Sequence, residues 1–209
     1  MKKNNNLSLS IMYHHLIIII LYIFIFSTAA YTNSFPPGNA LNFPGAGNAY
    51  VDVSSTDYSQ ISQNLTVEFW CCGDNSLNDQ STTSILSFIK NNSEPIINIL
   101  LPWGGKVYFD APFLTNRLET GVQPADVYKN HWIHWAFVKK ASPGKMKIYK
   151  NGIPWKSTDV TTQTINTADI TSFMIGSGYS GKIDELRIWS TARSSYQIQN
   201  NYKTILPGN

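Results

Sequence analysis

The chain has 209 residues, 14% of them charged and 43% hydrophobic, with 16 Lys and Arg against 13 Asp and Glu for a formal net charge of +3. That length suits one β-rich domain, and so small an excess of positive charge excludes a nucleic-acid binder built on a basic stripe. Two of the positive charges, Lys2 and Lys3, belong to the N-terminal segment rather than to the domain.

Residues 1–30 read as a secretory signal peptide. Lys2 and Lys3 form a positive start, Leu16 to Phe26 is an unbroken apolar run, and Ser27-Thr28-Ala29-Ala30 offers small residues for cleavage after Ala30. The apolar run is shorter than the roughly 20 residues a membrane span needs. The mature protein is therefore expected to be extracellular with no membrane span; an uncleaved signal anchor is the alternative. Residues 31–38 are a lead-in, 39–204 the domain and 205–209 a short tail.

From Asn64 onward, short alternating segments follow one another. Leu65, Val67, Phe69 and Cys71 share one strand face; Thr66, Glu68, Trp70 and Cys72 share the other. Strands are predicted at Thr83 to Lys90, Ile96 to Leu101, Lys106 to Phe109, His134 to Lys140, Lys145 to Lys150, Ile153 to Ser157, Phe173 to Ile175 and Lys182 to Trp189. Asn151-Gly152 between two such runs predicts a tight hairpin, because both positions tolerate positive φ. Val122 to Asn130 contains Pro124 and is expected to be a loop. Lys139, Lys140, Lys145, Lys147 and Lys150 are expected to be a solvated hairpin. Helix is expected only near Ser194, where Ser194 and Gln197 have capping-box spacing ahead of Ile198 and Tyr202. Many short strands with one helix predict an all-β, antiparallel two-sheet sandwich.

Two sequons, at Asn64 and Asn91, are candidate glycosylation sites. Cys71 and Cys72 are adjacent, so their Cα atoms lie about 3.8 Å apart and their side chains point to opposite strand faces. A bond between them would be strained and is not expected. One thiol is expected inside and the other outside, where it could bridge two copies of the chain into a homodimer.

Several pieces resemble the laminin-G-like, concanavalin A-type jelly-roll domains, in that family's order. They are Ala40-Leu41-Asn42-Phe43 with Gly45 and Tyr50 to Val53; Leu65 to Trp70; Trp132 to Val138; Lys147 to Gly152; and Ile175-Gly176 with Gly181 to Trp189. The resemblance runs from Ala40 to Tyr202 and implies the same jelly-roll sandwich. It also implies a range of activities, since lectins, adhesion modules, receptor ligands and glucanases share this architecture.

The glucanases of this fold carry an alternating Glu-x-Asp-x-x-Glu pattern on one strand, placing the two carboxylates that glycoside hydrolysis needs. Neither Glu68, Glu94, Glu119 nor Glu185 opens such a pattern, so no enzyme is expected. His131 and His134, three apart on a strand, face opposite ways and do not make a metal site. The resemblance implies a Ca²⁺ at the sandwich edge, with Asp184 as side-chain ligand and carbonyls of Gly45, Gly47 and Asn48 opposite. Pro44 stands where the family is often acidic, and the alternative for Asp184 is a structural carboxylate joining the first and last strands.

On the strand from His134, matching His134, Ala136 and Val138 to the family's core side leaves Trp135 and Phe137 outward, and Trp70 likewise opposes Val67 and Phe69. If these three aromatics are uncovered they form a ligand platform; the alternative is that a loop such as Trp103 to Tyr128 covers them or that both faces are packed. The expected function is a non-catalytic extracellular recognition domain for glycans or cell-surface proteins. A structural or adhesion protein acting through homotypic contacts is the alternative, and a glycoside hydrolase a more distant one.

Overall fold

In the computed structural model the described residues are 39–206, apart from 47, 54–56, 91–93, 114 and 169. The expected signal peptide, the lead-in, Gly47, Asn91 and the last three residues lie outside them. The chain divides at residue 34, and the second unit, Phe35–Asn209, carries the domain.

The described strands form two six-stranded antiparallel sheets. The first, sheet A, runs in spatial order β1 (Leu41–Pro44), β12 (Ser180–Trp189), β3 (Asn64–Gly73), β8 (Ile133–Lys140), β9 (Lys145–Lys150) and β10 (Ile153–Asp159). The second, sheet B, runs β2 (Val51–Asp52), β11 (Ile170–Ile175), β4 (Ser84–Lys90), β5 (Pro95–Trp103), β6 (Lys106–Asp110) and β7 (Arg117–Glu119). One α-helix, α1 (Ser195–Asn201), follows the last strand. This is the antiparallel two-sheet sandwich expected from the alternating strands, in the jelly-roll form that the resemblance implies.

The period-2 pattern puts one face of each sheet into a common core. Leu65, Val67, Phe69 and Cys71 of β3 meet Ile97, Ile99 and Leu101 of β5 and Val107 and Phe109 of β6, all essentially inaccessible to solvent. Phe137 stacks on Phe69 at 5.8 Å and meets Phe109 edge-on at 5.5 Å, joining the two layers. Trp135 meets Trp155 edge-on at 5.3 Å.

Trp135 and Phe137 therefore point inward, reversing the expected faces of β8: His134, Ala136 and Val138 lie on the outside of sheet A. The inter-sheet gap takes large side chains, whereas Ala136 and Val138 leave room on the other face for Ile198 of α1 to lie against the strand. Both faces of β8 are buried, so alternation alone does not separate them.

The Asn151-Gly152 hairpin forms as expected, both residues at positive φ (50° and 78°). The Asn151 side-chain oxygen also accepts the His134 N–H at 2.9 Å. The capping box closes in both directions: Ser194 Oγ accepts the Gln197 N–H at 3.2 Å, and Gln197 Oε1 accepts the Ser194 N–H at 2.9 Å. β7 was not expected, and the expected loop 122–130 contains one 3₁₀ turn at Ala125–Val127.

Candidate functional site

The outer face of sheet A is closed by residues 189–206. Glu68, buried in the middle of β3, receives Arg193 Nη1 on Oε1, and His134 Nε2 stands 3.5 Å from Oε2. Burial works against ionisation of Glu68, but its contacts to His134 and Arg193 outweigh burial and hold the carboxyl below the ordinary glutamate range. His134 shifts downward because burial disfavours its charged form more than Glu68 favours it. Arg193 also donates to Gln197 O at 3.2 Å, packs its guanidinium 4.4 Å from the Trp189 ring, and directs its backbone N–H to Thr66 Oγ1 at 3.0 Å.

A second clamp holds the tail. Glu185, at a bulge of β12 with φ +53°, accepts Arg187 Nη2 at 2.5 Å and the Leu206 N–H at 2.7 Å. Arg187 also donates to the carbonyls of Asn201 and Thr204. Trp70 does face outward as expected, but Tyr202 stacks over it at 6.0 Å and accepts its indole N–H at 3.1 Å. It is only 7% exposed.

The expected platform of Trp70, Trp135 and Phe137 is thus not formed: one aromatic lies beneath the C-terminal segment and two lie in the core. What covers Trp70 is this segment, not the loop Trp103 to Tyr128.

The outer face of sheet B is arranged differently. The registers align Met174, Ser87, Asn98, Asp110 and Arg117 directly opposite one another across five strands. Four of the five are polar. Asn98 Oδ1 accepts Ser84 Oγ at 3.1 Å and Ser87 Oγ at 2.8 Å. Asp110 takes both Arg117 Nε (2.7 Å) and Nη2 (2.9 Å), a bidentate pair. Burial nonetheless raises the Asp110 carboxyl above its usual range, with the Arg117 contacts pulling the other way.

Beside this row, Tyr108 packs under the Arg117 guanidinium at 5.1 Å and against Trp103 at 5.2 Å. Trp103 is 38% exposed. No described strand or α-helix packs on this face, yet Ser87, Asn98, Tyr108 and Asp110 are only 0–8% exposed, so Trp103 and the half-buried Arg117 form its accessible part. A polar row beside an exposed aromatic can hold a hydroxyl-rich ring by hydrogen bonds and stacking.

The sequence patterns did not single out Asn98, Asp110, Arg117 or Trp103. A signal was present at Asn98, the one polar residue in Ile96-Ile97-Asn98-Ile99-Leu100-Leu101.

Among the described residues, the implied calcium ligands Gly45 and Asp184 lie apart. Pro44 pairs with Ser180 and Leu41 with Ile183, so Gly45 sits at the level of Tyr179, whose carbonyl takes its N–H at 2.8 Å. That is five residues along β12 from Asp184, or about 16 Å at about 3.3 Å per residue. Asp184 instead accepts the Glu185 N–H at 2.8 Å, and burial raises its carboxyl. Among the described residues no group of three or more His, Cys, Asp or Glu gathers for a metal ion.

Cys71 is buried and free, its thiol pushed up to about 12 by burial, while Cys72 is half-buried and free. Asn64 opens β3 half-buried, its Oδ1 accepting the Ala141 N–H at 3.4 Å. Among the described residues no helix is long and apolar enough to cross a membrane.

Solved structures share the fold at low identity. A putative carbohydrate binding protein from Bacteroides ovatus is 20% identical with a TM-score of 0.61, over 80% of this chain and 47% of that one. The Ruminococcus gnavus IT-sialidase CBM40, bound to α2,3 sialyllactose, is 14% identical with a TM-score of 0.62, over 78% of this chain and 96% of that one. The binding domain of botulinum neurotoxin DC, in complex with rat synaptotagmin II, is 15% identical with a TM-score of 0.59, over 79% and 45%. The chain thus spans less than half of the toxin domain and of the Bacteroides protein. No curated protein matches in sequence. The family model described as the concanavalin A-like lectin/glucanases superfamily matches residues 45–199, most of the chain, and the chain belongs to that laminin-G-type family.

Proposed function

We propose that the protein is a secreted, non-catalytic recognition domain that binds a glycan through the outer face of sheet B. The observation that carries this is the row Ser87, Asn98, Asp110 and Arg117 beside Trp103 and Tyr108. Its donors and acceptors are fixed by their neighbours before a ligand arrives, which lowers the ordering cost of binding. The fold neighbours support the reading, since one is solved with a sialylated sugar and another is described as a putative carbohydrate binding protein. The proposal of secretion rests on residues 1–30.

The non-catalytic part has its own support. Asp110 and Glu119 are the carboxylates on β6 and β7, but both Asp110 oxygens are held by Arg117. A carboxyl so held is poorly placed to protonate a glycosidic oxygen.

The test is a glycan-array screen of the purified protein and of Trp103→Ala and Asn98→Ala. Binding that each substitution weakens at least about tenfold, the scale of a lost buried hydrogen bond or stacking contact, supports the reading. It is expected to survive a calcium chelator. Binding unchanged in both variants sinks the proposed face.

A second reading, homotypic adhesion, is favoured by the free Cys72 on the outer side of β3. It requires a thiol-sensitive dimer on non-reducing electrophoresis that Cys72→Ser removes.

A further inference from the structure

The lysines of the β8–β9 hairpin divide by face. Lys139 points inward, is fully buried, and donates to Gln163 O at 2.7 Å. Lys140, Lys145 and Lys147 go to the outer side of sheet A. There Lys140 stands directly opposite Lys145, and Lys147 opposite Val138. Like charges directly opposite on a sheet are destabilising unless something offsets them.

Little does. Lys145 pairs with Asp159 at 2.8 Å, but that carboxylate is 84% exposed, and such pairs contribute little. The ammonium groups of Lys140 and Lys147 make no hydrogen bond or ion pair among the described residues, although both backbones are paired in the sheet. Glu68, the buried carboxylate on this face of sheet A, already serves Arg193.

The C-terminal segment stops short of these lysines. It leaves a hollow of about 310 Å³ between itself and the hairpin, with Val138 and Ala192 as apolar walls and Lys140, Lys145, Lys147 and Ser194 as polar ones. Ser194 Oγ accepts from Gln197 N, which leaves its hydroxyl proton free to donate. A further hollow of about 290 Å³ shares Lys147 with Lys156 and Ser157, extending the positive surface toward β10.

We propose that this hollow is an oxyanion site, seating a sulfate or phosphate group against Lys140 and Lys147 with Ser194 as hydroxyl donor. An anion there offsets the Lys140–Lys145 repulsion, and the apolar walls leave room for whatever carries the group. The site lies on the opposite layer from the row on sheet B and does not depend on that row binding a glycan.

The test is calorimetric titration of the purified protein with a sulfated disaccharide and its unsulfated parent, at low and at high salt. The sulfated form is expected to bind, the parent not, and affinity to fall as salt rises. Lys140→Gln or Lys147→Gln should each weaken binding about two- to fivefold, as for an exposed charge pair. The double variant should lose binding, while Lys140→Arg/Lys147→Arg keeps it and Lys182→Gln, an equal charge change on β12, leaves it unaltered. Thermal melts verify that each variant is folded.

Inorganic sulfate serves as competitor. Displacement at equal concentration makes the anion itself the ligand, and weaker displacement gives the sugar ring a share; either outcome upholds the site. Absence of binding at low salt, equal binding of the unsulfated parent, or unchanged affinity in the double glutamine variant overturns it.

Discussion

The outer faces of the two sheets use similar side chains to opposite ends. Sheet A buries a charged cluster, Glu68 with Arg193 and His134, and covers it with residues 189–206. Sheet B lines up the buried Ser87, Asn98 and Asp110 with the half-buried Arg117, hydrogen-bonded in two pairs, under no described strand or α-helix. On sheet A the arginine comes from outside the sheet and fastens a cover. On sheet B it comes from the neighbouring strand, so the ion pair closes within the layer and ties nothing above it. Where a charge finds its partner therefore decides whether it fastens a cover or closes within its own layer.

Removing the sheet A fastener should have the largest effect. Arg193→Ala leaves Glu68 buried without its cation and should cost about 3–5 kcal/mol, read as a lowered denaturant midpoint. Arg117→Ala, the corresponding change on sheet B, should cost less, about 1–3 kcal/mol, because Arg117 is itself part-exposed where Arg193 is buried, and the Asp110 carboxyl, raised by burial, already tends toward protonation. Equal losses would break the contrast between the faces.

Gly152→Ala comes next. A methyl group there would stand 2.8 Å from the Tyr202 ring, at a φ of +78° that disfavours side chains. A loss of about 1–2 kcal/mol is expected, with greater Trp70 fluorescence change than any sheet B substitution produces.

Acid should loosen sheet A. The folded pKa of His134 lies below its ordinary 6.5, so the unfolded chain binds the proton more readily. Its contribution is complete above about pH 6.5 and is lost as pH falls toward the folded value. Glu68, also lowered, adds a second loss below its ordinary 4.5. The groups facing His134 are Glu68, Arg193 and Arg187. Urea midpoints should fall between pH 7 and 5 in the wild type and stay flatter in His134→Gln; parallel curves would remove His134 from the account.

The smallest expected effect separates the cysteines. A thiol reagent on the native protein should modify Cys72 slowly and Cys71 only after unfolding, since both thiols are raised but Cys71 is fully enclosed. Mass spectrometry of the labelled peptide reads the difference.

Much of the fold was legible because its strands alternate, its β9–β10 hairpin carries Asn-Gly, and its helix begins with a reciprocal cap. The faces of β8 were not, because IHWAFVK is buried on both sides and hydrophobicity cannot rank two interiors. Side-chain size was the informative quantity: Trp135 and Phe137 fill the inter-sheet gap, whereas Ala136 and Val138 admit a helix. The sheet B row was hidden for another reason. Ser87, Asn98, Asp110 and Arg117 come from four strands, and only the registers bring them into line. Arg117 also sits in a three-residue strand too short to show a period.

The order of strands in sheet A has a consequence for synthesis. β3 is made early, yet one of its neighbours is β12, and its outer face is closed by the residues that follow. While the intervening hundred or so residues are being added, Glu68 has no arginine and one edge of β3 has no partner. Sheet B needs only β11 to complete β4, and its middle strands follow one another directly. On a ribosome, sheet B should therefore take shape first, with sheet A waiting as an open template until the last segment emerges. Nascent chains stalled before residue 180 would then be the form most prone to pair with one another.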